Sequence, residues 1–138
     1  MQEVIIKKSQ LVEAQITGTP AALQTYNFLP NNELSSKRIA LYGIEAYTAA
    51  QLTTDNSGNA VIPANGAASL TFTLVTKGNV QTIKEMPVVN AIRSSNNGFI
   101  LPLDNLEVTL DKCFITLNAA TNLTLGQVVL FNFYYTEL

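Results

Sequence analysis

Residues 127–135 read Gln127-Val128-Val129-Leu130-Phe131-Asn132-Phe133-Tyr134-Tyr135. Val129, Phe131, Phe133 and Tyr135 recur at every second position, which is the period of a strand. The residues between them, Val128, Leu130, Asn132 and Tyr134, are also mostly apolar. A strand with two apolar faces belongs at the centre of a sheet or under another subunit, because only there do both faces leave water.

The same period appears upstream in shorter runs. Leu70, Phe72 and Leu74 alternate with Thr71, Thr73 and Val75, and Gln24, Tyr26 and Phe28 alternate with Thr25 and Asn27. Val4-Ile5-Ile6 and residues 11–16 read as one or two strands or an extended arm, and Gly18-Thr19-Pro20 follows as a breaker. Residues 80–89 form a weaker strand, and Pro87 places its end at a sheet edge because proline cannot donate to a ladder. Ala60-Val61-Ile62 is a short strand candidate, and Asn65-Gly66 is a tight-turn dipeptide. Phe99-Ile100-Leu101 stops at Pro102. Leu106, Val108 and Leu110 share a face; Asp111-Lys112 then interrupts, predicting a bulge or a change of sheet before residues 113–117.

Residues 34–52 admit two readings. As a helix, Leu34, Arg38, Leu41, Glu45 and Ala49 share a stripe, with Ser35 or Ser36 as cap. As a strand, Ile39, Leu41, Gly43, Glu45 and Tyr47 alternate with Ala40, Tyr42, Ile44 and Ala46. Gly43 would cost a helix about 1 kcal/mol, which favours the strand. The whole pattern predicts an all-β fold: a single antiparallel β-sandwich over residues 1–138, jelly-roll-like, with eight to ten strands. Its expected core is Phe28, Ile39, Leu41, Leu70, Phe72, Leu74, Val108, Leu110, Ile115, Val129, Phe131 and Phe133. Residues 1–17 are either an assembly arm or an edge strand of that sandwich.

Composition narrows the function. The 138 residues suffice for one domain without a disulfide or metal staple. They include no histidine, the side chain most used for proton transfer and metal ligation near neutral pH. Charged residues make up 13%, about half the usual share. That leaves much neutral surface, as in chains that bury surface between subunits. Net charge is −2, and the basic residues cluster only as the pairs Lys7-Lys8 and Lys37-Arg38. Two pairs do not supply the many phosphate contacts of a nucleic-acid protein. No run has the length of a membrane span. The opening residues carry no apolar signal stretch, so assembly in a cytoplasm is expected.

The candidate sites are sparse. Asp55, Ser57 and Asn59 have alternate oxygens around Gly58, but a calcium loop wants more carboxylates, and position 66 is Gly where a bidentate Glu would stand. Asp104 and Glu107 are the nearest acid pair, though at a strand start they should face different ways. Asn122-Leu123-Thr124 matches a glycosylation acceptor, a triplet that arises readily in a chain rich in Asn and Thr. Cys113 flanks an apolar run and lacks the histidine that would activate it, so a buried thiol is expected. Tyr26, Tyr42, Tyr47, Tyr134 and Tyr135 could stack sugars or bases, or simply belong to the β-core. No residue is assigned a catalytic, cofactor-binding or metal role, and no cofactor is expected.

Taken together, Lys37-Arg38-Ile39 through Asp55-Asn56-Ser57-Gly58, then Leu70-Thr71-Phe72-Thr73-Leu74, Asp111-Lys112-Cys113-Phe114-Ile115 and the closing strand resemble small jelly-roll virion proteins of bacteriophages. That resemblance implies a non-enzymatic structural protein of a virus particle: a capsid, vertex, decoration or tail-connector component. It would be a homo-oligomer in contact with other virion proteins, located in the virion. The alternative is a carbohydrate-binding β-sandwich module with a glycan as partner. A cluster of exposed tyrosines beside polar loops on one face would distinguish it.

Overall fold

In a computed structural model, which describes residues 7–17, 23–31, 33–35, 37–76, 78–93, 98–119 and 123–138, the alternating runs become eight strands. They are β1 (Lys8–Gln15), β2 (Thr25–Asn27), β3 (Ile39–Tyr47), β4 (Leu70–Thr76), β5 (Val80–Pro87), β6 (Leu101–Val108), β7 (Phe114–Leu117) and β8 (Val128–Glu137). Two antiparallel sheets result, in the orders β1-β8-β3-β6 and β2-β7-β4-β5. Consecutive strands cross between the sheets except at the β4–β5 hairpin. This wrapping of eight strands into two sheets is the double Greek key of a jelly roll. Residues 34–52 resolve as strand, with β3 flanked by turns.

The two-faced closing strand is central, as its apolar character requires. β8 lies between β1 and β3, pairing Phe131 with Val12 on one side and with Ala46 on the other. All twelve expected core residues are buried. Phe131 sits at the middle of the core, its ring 5.3 Å from that of Phe28 and 5.4 Å from that of Phe72, both on the opposite layer. Pro87 ends β5 at a sheet edge, where the missing N–H costs no ladder bond. A 3₁₀ turn at Leu110–Lys112 carries the chain from β6 in the first sheet to β7 in the second, so the interruption at Asp111 is a change of sheet.

Several readings need correction. β6 does not stop at Pro102; it runs through it, because β6 is an edge strand and the proline can face away from β3's ladder. Ala60-Val61-Ile62 is no full strand: Ala60 bridges Thr54 and Val61 bridges Val128, so the segment only extends the sheet beside β8. Asn65-Gly66 does sit in a tight turn, closed by Gly66 N–H to the Pro63 carbonyl at 2.9 Å, with Gly66 at φ −71, and the turn leads into a 3₁₀ turn at Ala67–Ser69. The strict alternation assigned to β3 also breaks. Leu41 pairs with Tyr135 and Gly43 with Tyr134, so Tyr42 is an extra residue against β8. Ile39 and Leu41 are inward before this bulge, Ile44 and Ala46 after it, and all four are buried. Glu45 and Tyr47 thereby fall on the outer face. Of residues 1–17, Lys8–Gln15 form the edge strand β1, while Val4-Ile5-Ile6 and the breaker Gly18-Thr19-Pro20 lie outside the described residues.

The pairing registers also set where the loops go. Gln15 pairs with Val128, Ile44 with Leu101, Thr71 with Pro87 and Leu70 with Leu117. The β1–β2, β3–β4, β5–β6 and β7–β8 connections therefore all gather at one end of the sandwich. The β2–β3, β4–β5 and β6–β7 connections lie at the other.

Candidate functional site

The outer face of the first sheet carries most of the chemistry. Its centre is Glu45, only 3% exposed, which the β3 bulge turns away from the core. A buried carboxylate needs donors to replace water. The Tyr134 hydroxyl donates to Glu45 Oε1 at 2.5 Å and the Tyr47 hydroxyl at 2.9 Å. The Arg93 guanidinium bonds Oε2 through Nε and reaches Oε1 through Nη2 at 3.4 Å. Burial alone would raise the Glu45 pKa, but Arg93, Tyr134 and Tyr47 more than offset it, and the carboxyl lies below its usual range. Burial and the Glu45 anion together push the Tyr47 hydroxyl up to about 12. Glu45 is thus held ionised with its oxygens occupied. It staples the β5–β6 connection, through Arg93, to the sheet.

A second acid site stands near the loop-rich end. Asp55 Oδ1 accepts the backbone N–H groups of Ser57 at 2.9 Å and Asn59 at 2.8 Å, and Oδ2 accepts the Asn59 amide at 3.0 Å. Gly58 closes this loop at φ +85, a conformation that strains any residue with a Cβ. The spacing of Asp55, Ser57 and Asn59 serves the loop's own backbone. The sequence does not disclose that Glu13, on β1, meets this loop. Burial raises the Glu13 pKa first, and the hydrogen bond and negative charge of Asp55 add to it, bringing it to about 7. Asp55 moves the other way, because Asn59, Glu13 and the loop N–H groups outweigh its burial. The pair holds one proton near neutrality, beside an open pocket of about 390 Å³ that Leu11, Leu52, Leu130 and Asn132 help line.

A second pocket, of about 640 Å³, opens farther along the same face, between Tyr42, Ala40 and Thr136 and a rim of Lys7, Arg38, Asn105 and Glu107. Three of the five tyrosines, Tyr42, Tyr47 and Tyr134, therefore share one face, each half-buried, with the Tyr42 and Tyr134 rings 6.1 Å apart. Tyr26 and Tyr135 are buried.

Comparison with protein-family models, with curated proteins and with solved structures finds no match to this chain.

The remaining sequence candidates separate. Glu107 pairs with Arg38 at 3.0 Å, while Asp104 is exposed on the edge strand. Among the described residues no group of three Asp, Glu or Cys side chains converges as a metal site. Also among them, no helix is long and apolar enough to cross a membrane. The basic pairs Lys7-Lys8 and Lys37-Arg38 are split by function: Lys8 and Lys37 both meet Glu137 at 3.1 Å, and Lys7 lies 5.0 Å over the Tyr42 ring. Asn122 lies outside the described residues.

Cys113 is fully buried. Its thiol donates to the Thr109 carbonyl at 3.3 Å and accepts the Val75 N–H at 3.4 Å. Burial pushes its pKa up to about 11, against a small opposing pull from Val75. The thiolate is the reactive form, so Cys113 is expected to react slowly with a thiol reagent in the native state and rapidly after denaturation. Equal rates by mass spectrometry would show that the site opens.

At the loop-rich end, large apolar side chains face solvent. Leu23 is 79% exposed and holds φ +66, an uncommon conformation for a leucine; Leu125 is 66% and Phe99 71% exposed.

Proposed function

We propose that this chain is a non-enzymatic structural component of a virus particle, acting through multi-copy assembly with itself and with other virion proteins. The observation that carries this reading is the strand order β1-β8-β3-β6 over β2-β7-β4-β5. Viral capsid domains use that double-sheet wrap, and so do lectin domains. The step from wrap to role is an analogy at the level of fold. Two features support assembly over a solitary life. The low charge density leaves surface that subunit contacts can cover. The loop-rich end exposes Leu23 and Leu125 from two different connections, apolar surface that a subunit contact at that end would cover.

The contact is better placed at that end than along β1. The outer edge of β1 is already occupied where Leu29 N–H donates to the Glu13 carbonyl and the Asn31 amide to the Leu11 carbonyl. An added strand would have to displace both. In this reading the protein resides in the virion and assembles in the host cytoplasm. Light scattering and native mass spectrometry test it. The expected result is a multi-copy species that Leu23→Ser with Leu125→Ser dissociates into a monomer that keeps the β circular-dichroism spectrum and cooperative melting of a folded chain. A monomer across the soluble concentration range, also in the presence of the other virion components, would overturn it.

A further inference from the structure

We infer that the pocket between β3, β6 and β8 on the outer face of the first sheet binds a pyranose sugar, with Tyr42 as its stacking platform. The site is built by two irregularities at one point. Tyr42 is the extra residue of β3 against β8. Between the same pairs on the other side, Leu41 with Leu106 and Gly43 with Pro102, β6 inserts Leu103, Asp104 and Asn105 opposite Tyr42 alone. Asn105 adopts φ +47 in this insertion. Bulges of this kind re-aim side chains beside binding sites. Here the result sets Asn105 on the rim of the pocket that Tyr42 helps to floor.

The chemistry of the lining selects the ligand. The volume, about 640 Å³, lies in the range of small-ligand sites. Arg38 and Glu107 are joined at 3.0 Å, so the rim offers an N–H donor and a carboxylate acceptor side by side. Asn105 and Thr136 add groups that both donate and accept. Vicinal hydroxyls of a sugar need that alternation, since each gives one hydrogen bond and takes others. A phosphate or an acidic peptide would meet Glu107, and an apolar chain would leave the rim unsatisfied. Lys7 above Tyr42, at 5.0 Å from the ring centre, shows which ring face is turned to solvent. The electron-rich face that attracts the ammonium equally suits the polarised C–H groups of a pyranose. Lys7 is exposed and long, so it can swing aside.

This inference stands apart from the assembly reading, whose contacts lie at the loop-rich end. A panel of immobilised gluco-, manno-, galacto- and sialo-configured oligosaccharides tests it, followed by calorimetric titration of the best binder. The expected result is saturable binding that Tyr42→Ala weakens about tenfold or more, the loss of one stacking contact. Asn105→Gly removes the amide and adopts the φ +47 backbone without strain, so it should weaken binding while leaving cooperative melting intact, which covers the case that Tyr42→Ala fails to fold. Lys7→Ala should bind at least as well as the parent. No saccharide held by the intact protein overturns the inference. So does binding that is indifferent to Asn105→Gly, and so does binding lost in Lys7→Ala but kept in Tyr42→Ala, which would be charge attraction.

Discussion

Phe131→Ala is expected to lower the unfolding free energy by about 3–5 kcal/mol. Phe131 is fully buried at the centre of β8, and its ring touches Phe28 and Phe72 from the second sheet's layer and Phe133 from its own. Truncation removes the transfer free energy of a ring and leaves a hole between two sheets. Those sheets cannot close on it, because β8 is hydrogen-bonded on both sides, to β1 and to β3. The lost edge and stacked ring contacts add about 0.5–1.5 kcal/mol each within that total. Urea denaturation followed by tyrosine fluorescence or circular dichroism measures the loss. Val80→Thr, at a side chain 58% exposed on the edge strand β5 and away from the proposed contact, is the control and should stay within about 0.5 kcal/mol. A loss under 1 kcal/mol at Phe131 would mean that the aromatic cluster does not hold the sheets together.

The contrast between core and site shows what sequence reading can reach. Phe131 and Phe133 were legible because burial on one face imposes a period of two, and the ten other expected core positions are buried with them. The edge position of β5 was legible in Pro87, and the change of sheet in Asp111-Lys112. β3 marks the limit. Its inward residues are Ile39, Leu41, Ile44 and Ala46, and the spacing of three from Leu41 to Ile44 is the trace of the bulge. Read as strict alternation, the strand puts Glu45 with the inward set. The site partners leave no local trace. Glu45 and Arg93 are 48 residues apart, and they meet only because the jelly-roll wrap brings the β5–β6 connection back over β3. The tyrosines look scattered along the chain for the same reason, yet β3 and β8 are neighbours, so Tyr42, Tyr47 and Tyr134 converge.

Glu13 and Asp55 give the second large effect, and its sign follows from proton linkage. The Glu13 pKa rises from 4.5 unfolded to about 7 folded. Between those values the native state binds more protons than the unfolded state, so stability falls as pH rises. The contribution of the Glu13 proton is complete below pH 4.5 and lost once the pH passes about 7. Asp55 runs opposite: its lowered pKa stabilises the fold above its unfolded value of 3.8 and is lost only as acid reaches the folded pKa. The window between pH 4.5 and 7 therefore belongs to Glu13. In Glu13→Gln the amide N–H takes the place of the carboxyl O–H as donor to Asp55 and does not titrate. The variant should match the parent near pH 5 and exceed it at pH 8 by about 1–3 kcal/mol, after allowing for solvent screening of a half-buried group. Urea midpoints at five pH values between 4 and 8 measure this. Parallel curves for parent and variant would show that Glu13 titrates as a free carboxylate and that β1 is not proton-linked to the Asp55 loop. Diverging curves would mean that the β3–β4 connection is held to the edge strand by a single proton. That tie would loosen as the surroundings turn alkaline, at the same loop-rich end of the sandwich that carries the exposed Leu23 and Leu125.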